Sequence, residues 1–245
     1  GYDLVNEKTL TINPIVLTAT LTGDNVFTKE YDGDTTVDQV LTLGSTYTLD
    51  KVVSGDTVSI ATNNTGSYNN KNADDGKTIS YTGITLTGDS KGNYTIASTL
   101  SGAVGQITKK NLQAMLIGTN SFSKEYDGTD AVTTALTKGT NYQFTNMVDK
   151  DDLNLTGTGQ YDNKKVGNDK TVFFKGLGLT GDDAGNYKLI SEVLSVEGGQ
   201  ITAKELTITL AGNNTFTKEY DGTTTVNQAL AGNYTISGIV GTEKV

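Results

Sequence analysis

The sequence predicts an all-β protein made of tandem β-sandwich repeats. Three observations predict it: apolar and polar residues alternate at period two, one pentapeptide returns at a fixed interval, and no flexible linker separates the repeats. The pentapeptide is Lys29-Glu30-Tyr31-Asp32-Gly33, which recurs at 124–128 and again at 218–222, 95 and then 94 residues further on. Ile12, Ile107 and Ile201 keep nearly the same interval. Gly92-Asn93-Tyr94 matches Gly185-Asn186-Tyr187, and Tyr68 matches Tyr161, both 93 residues apart. The period of about 94 residues divides the chain into the last strand of one repeat (1–14), two full repeats (15–108 and 109–202) and the start of another (203–245).

Each element follows from its local pattern. Leu17-Thr18-Ala19-Thr20-Leu21 reads as a half-buried strand, with the leucines and alanine on one face and the threonines on the other; 112–116 and 206–210 repeat it. Further strand-type runs follow at 26–31, 47–49, 58–62, 77–86, 94–97 and 105–108. Between them stand Thr-Gly-Asp, Asp-Gly, Ser-Gly-Asp, Asn-Asn-Thr-Gly and Asp-Asp-Gly, which supply the positive φ values that hairpins require. Roughly seven to nine short strands per repeat, with a turn every eight to twelve residues or so, fit an immunoglobulin-like sandwich. No stretch carries the 3.6-residue period of a helix. At 105–113 and 200–208 the last strand of one repeat passes within a few residues into the first strand of the next. Joins that short predict an elongated rod with restricted bending, further stiffened where Pro14 fixes its φ.

Composition narrows the function. The chain has no His, Cys or Trp, and all 19 of its cations are Lys. That removes Ser-His-Asp triads, thiol nucleophiles and the usual nitrogen and sulfur zinc ligands, so no enzyme is expected. The net charge of −9 argues against a nucleic-acid partner. No apolar run approaches the ~20 residues that insert across a bilayer, and no signal-peptide pattern opens the chain. The absence of any thiol suits an exported protein not built on disulfides. Threonine, the commonest residue at 42, suits the solvent face of strands.

Two motifs together point to a family. Lys-Glu-Tyr-Asp-Gly followed by Val37 or Val226, with Leu-Thr-Gly-Asp-x-x-Gly-Asn-Tyr at 86–94 and 179–187, resembles the YDG-type repeats of bacterial surface proteins. These occur with related MBG-type repeats in large adhesins and filamentous-haemagglutinin-like exoproteins. In the second copy Val132 holds the same place. The resemblance implies an extracellular stalk, at the bacterial surface or secreted, that projects a binding tip and supports adhesion or biofilm.

The remaining constellations divide between structure and chemistry. Tyr31-Asp32-Gly33, Tyr126-Asp127-Gly128 and Tyr220-Asp221-Gly222 read as structural: with Phe27, the tyrosine fills the core of its own repeat while Asp-Gly turns the chain. Glu30 and Asp32 as a catalytic carboxylate pair is the rival reading, disfavoured because an active site is not normally copied in every repeat. The loops at 88–93 and 181–186 offer Asp89, Asp182 and Asp183 as calcium ligands, and Asp149-Lys150-Asp151-Asp152 offers more. Covalent ties of the kind found in some adhesins could be drawn between Lys29 and Asn93 or between Thr18 and Gln106, with Glu30 shuttling the proton. Against the first, Lys29 and Glu30 alternate to opposite faces of a strand. Three kinds of partner are expected. Neighbouring repeats of the chain come first; a glycan or host surface would be met by Tyr68 and Tyr161; and edge strands would support self-association.

Overall fold

The computed structural model describes residues 10–23, 27–118, 122–211, 217–226 and 232–245. Val26, which opens one predicted strand, lies outside them, as do residues 1–9 of the predicted first segment and 212–216 and 227–231 of the last. Among the described residues the regular structure is strand, apart from two single-turn 3-10 segments at Lys91–Asn93 and Ala184–Asn186. The chain gathers into two compact units that cut across the sequence repeats. Unit 1 is Gly1–Leu112, Asn146–Leu153 and Thr180–Ile190; unit 2 is Gln113–Thr145, Asn154–Leu179 and Ser191–Val245.

Unit 1 is built on a five-stranded sheet in the order Phe27–Glu30, Thr99–Thr108, Asp74–Thr82, Thr65–Tyr68, Thr36–Val37. The first pair is parallel, setting Lys29 opposite Ile107; the others are antiparallel. Alternation drives Phe27, Ile79, Tyr81, Leu100 and Ile107 inward. Shorter pairs complete the unit: Ala19–Leu21 with Tyr47–Leu49, Ser59–Ile60 with Leu86–Thr87, and Ile15–Val16 parallel to Tyr94–Thr95. They enclose Leu17, Val58 and Tyr94, with Leu49, Val52 and Leu86 packed around. Leu21 packs over Gly102 of the large sheet. Lys110–Leu112 pairs in parallel with Tyr187–Leu189, so this end of the second repeat belongs to unit 1.

Unit 2 repeats the plan. Ser123–Glu125, Leu194–Thr202, Gly167–Thr180 and Asn154–Tyr161 follow the same strand order, and Lys124 stands opposite Ile201 as Lys29 does opposite Ile107. A single bridge from Ala131 to Gln160 replaces the fifth strand. Gln113–Leu116 pairs with Tyr142–Thr145, and Thr207–Leu210 pairs with Tyr234–Ser237.

The predicted half-buried strand appears as expected at 112–116, with Leu112 and Ala114 buried. At 206–210 the alternation is present but Ile208 and Leu210 stay exposed. Two other features depart from expectation. Asp-Asp-Gly, read as a turn, lies inside the strand Asp74–Thr82, where Gly76 has φ +63° beside a register shift opposite Gly105 and Ile107. The turn residues there make a bulge. Thr65–Tyr68 and the front half of Thr99–Thr108 also form strands, because neighbouring ladders outweigh the weak propensity of their Ser and Gly residues.

Candidate repeat-joining site

The site starts from a local turn. Lys29, next to last in the strand Phe27–Glu30, has its ammonium 2.8 Å from Asp32 and 2.6 Å from Asp34. It also sits 5.7 Å from the centre of the Tyr68 ring. The Asp32 carboxylate accepts the Asp34 N–H at 3.1 Å, an Asx-turn that folds the chain back on itself. Lys124, Asp127 and Thr129 rebuild this turn, with Lys124 5.7 Å from the Tyr161 ring; so do Lys218, Asp221 and Thr223. Hydrogen bonds from Lys124 and the Thr129 N–H hold the Asp127 carboxyl down to about 2. The glycine takes φ +89° at Gly33, +81° at Gly128 and +75° at Gly222, where a side chain would be strained.

The tyrosine in front of this turn does not serve its own repeat alone. Tyr31 is 0% exposed, and segments of the second repeat cover it. Its hydroxyl donates to Asp151 Oδ2 at 2.9 Å, and the Tyr187 hydroxyl donates to the same oxygen at 2.6 Å. The two rings meet edge to face with centroids 5.4 Å apart. Lys71 lies 5.8 Å from the centre of the Tyr31 ring and bridges Asp151 at 3.4 Å and Asp183 at 3.0 Å. Asn186 Oδ1 accepts the Ala73 N–H at 2.8 Å. Glu30 pairs with Lys110 at 3.2 Å. A Cβ on Gly33 would stand 2.7 Å from Val148 Cγ1, so only glycine lets that valine seat against the turn.

Asp151 is 7% exposed, and a carboxylate so far from water needs the partners it has here. Burial and its hydrogen bonds to Asp151 push the Tyr187 hydroxyl well above the usual tyrosine range, and burial raises Tyr31 as well. The Asp152 N–H and then Lys71 hold the Asp183 carboxyl below its ordinary value.

Within unit 2 the arrangement recurs. Tyr126 donates to Glu243, Glu125 pairs with Lys204 at 2.8 Å, and a Cβ on Gly128 would lie 2.8 Å from Val240. Val148 and Asp151 therefore correspond to Val240 and Glu243, and in the first repeat to Val53 and Asp56. Sequence reasoning placed the tyrosine in its own core and missed this receiving half. Its signal was the valine followed three residues later by an acid, returning in step with Gly-Asn-Tyr.

The other candidates go elsewhere. Glu30 and Asp32 engage different lysines rather than each other. Asp89 and Asp182 are exposed, Asp183 faces Lys71, and among the described residues no group of three or more acidic side chains is gathered to hold a metal ion. Lys29 binds Asp32 and Asp34, while Gln106 donates to Asp75 at 2.6 Å. The rings of Tyr68 and Tyr161, expected to meet a glycan or host protein, are buried beneath Lys29 and Lys124.

The sequence model of one family, described as the YDG domain, matches residues 13–101 and 108–194. No curated protein and no solved structure matches the chain.

Proposed function

The chain belongs to the YDG domain family, as two tandem copies, and on that premise we propose that it is the non-catalytic shaft of a bacterial surface-bound or secreted adhesin. In this reading each copy is an immunoglobulin-like sandwich, successive copies stack into a rod, and copy number sets how far a binding tip stands from the cell. The observation that carries it is the complete burial of Tyr31 against Asp151 and Tyr187, which come from the following copy. A join that buries an aromatic ring and closes an ionic network resists bending better than a flexible tether does. The acidic surface keeps neighbouring shafts apart and soluble. A copied structural turn, rather than a single reaction centre, also fits a role without catalysis. Burial of Tyr68 and Tyr161 counts against those rings as ligand contacts.

Small-angle scattering on the whole chain, with calcium and then with EDTA, tests the reading. A maximum dimension equal to the summed length of the copies, the same in both buffers, is the expected result. A compact particle would overturn the rod, and shortening in EDTA would make calcium part of the joins.

A further inference from the structure

Two lysines stand where the strand pattern asks for apolar residues. Alternation points Lys77, Ile79 and Tyr81 of the strand Asp74–Thr82 inward, and Lys170, Val172 and Phe174 of Gly167–Thr180 likewise. Lys77 is 4% exposed and Lys170 6%, so each ammonium needs partners in place of water. Each finds them in the hairpin turn before its strand. Lys77 donates to Asn70 Oδ1 and, at 2.9 Å, to the Asn72 carbonyl; Lys170 donates to Asn163 Oδ1 at 2.7 Å. Both copies therefore build the contact, each from its own residues.

The second copy adds a carboxylate. Asp162 stands where the first copy has Asn69; its Oδ1 lies 3.0 Å from Lys170 Nζ, and its Oδ2 accepts Asn163 Nδ2 at 3.2 Å. Asn163 Oδ1 also accepts the Lys165 N–H at 3.0 Å. One carboxylate thus touches both nitrogens of an amine–amide pair, and a backbone N–H holds the amide oxygen. Those are the parts that an amide exchange needs: a positioned nucleophile, a proton relay and a donor where negative charge develops.

We propose that Lys170 and Asn163 join spontaneously through an isopeptide bond. Asp162 takes a proton from the Lys170 ammonium, and the freed amine attacks Asn163 Cγ, one bond beyond the oxygen it already contacts. Negative charge gathers on Oδ1 under the Lys165 N–H. Asp162 passes its proton to Nδ2, the Cγ–Nδ2 bond breaks, and ammonia leaves into the solvent to which Asn163 is open. The nitrogen of the new amide sheds its extra proton, which the ammonia carries away as ammonium. In the first copy Asn69 stands in place of the carboxylate, so Lys77 and Asn70 stay hydrogen-bonded and unlinked. The bond closes the second copy's hairpin turn into a covalent ring. Its counterpart in the first copy is the turn whose Lys71 and Ala73 meet the following copy.

Intact mass of the full chain under denaturing conditions tests this. The expected result is a chain lighter by one ammonia, whose digest yields a branched peptide joining Lys170 to Asn163. Lys170→Arg keeps the charge and should return the unmodified mass, with circular dichroism checking the fold. Asp162→Asn leaves amine and amide in place and should slow the loss about a hundredfold or more, read as mass against time from synthesis. A folded chain of unmodified mass would overturn the proposal. So would an ammonia loss that persists in Lys170→Arg, which would mark an asparagine cyclised onto its own backbone. A second link at Lys77 would overturn the part given to Asp162. None of these results bears on the join between copies, which stands or falls on the scattering experiment.

Discussion

Asp151 shows how a residue can have a role its neighbours in sequence do not reveal. It lies in a run of charged residues, Asp149-Lys150-Asp151-Asp152, that resembles a solvated loop. In the structure it alone of these is buried, because two tyrosine hydroxyls and Lys71 replace its water. A matched pair of tyrosines gives a residue-level test of the same rule. The Tyr68 hydroxyl donates to the Phe27 carbonyl at 3.0 Å, while the equivalent, equally buried Tyr161 hydroxyl has no partner among the described residues. Tyr68→Phe should cost about 0.5–1.5 kcal/mol, the net value of a hydrogen bond, and Tyr161→Phe should cost nothing or stabilise. Urea denaturation of the two variants measures the difference; equal losses would mean that Tyr161 finds a water.

At the scale of the element, the Asp-Gly turn combines two constraints that substitution can separate. Gly33 and Gly222 both have positive φ, but among the described residues only Gly33 of the two has a neighbour, Val148, where a Cβ would go. Gly222→Ala should therefore cost the backbone strain alone, about 1 kcal/mol. Gly33→Ala adds a clash with the following copy and should cost distinctly more, read as a larger drop in denaturation midpoint. Similar losses would show that the Gly33 turn shifts away from Val148 at little cost. The strand pattern at this scale was largely legible, since alternation at 17–21 and 112–116 is a property of adjacent residues. The strand at 65–68 was not, because Gly66 and Ser67 at its centre break the pattern and the pairing is supplied by Asp74–Thr82.

Across the whole molecule, the lysine–aspartate turns tie stability to pH. The carboxyls of Asp34, Asp127, Asp183 and Asp221 are all held below their ordinary value of 3.8, each by a hydrogen bond from a lysine or from a backbone N–H. A depressed folded-state value contributes stability that is fully present above the unfolded value, and that contribution is lost as pH falls through the folded one. For Asp127 the window runs from 3.8 down to about 2. The thermal midpoint should thus hold above pH ~5 and fall steeply below pH ~4. Lys124→Met should reduce that fall, because it removes the largest cause of the Asp127 shift. A midpoint that stays flat to pH ~2 would show that the turns contribute nothing to global stability.

The sequence by itself determined the repeat, the strands and the chemistry of the turns, because period, alternation and a glycine at positive φ are written into residues close together along the chain. Only the tertiary structure decided what Tyr31 is for. Its partner Asp151 lies 120 residues further on, in the following copy. A tandem period is symmetric: it states that each copy carries Tyr-Asp-Gly and Gly-Asn-Tyr, and is equally satisfied if each copy keeps both to itself. The direction in which one motif enters the other is set by packing between copies, and periodicity carries no trace of it.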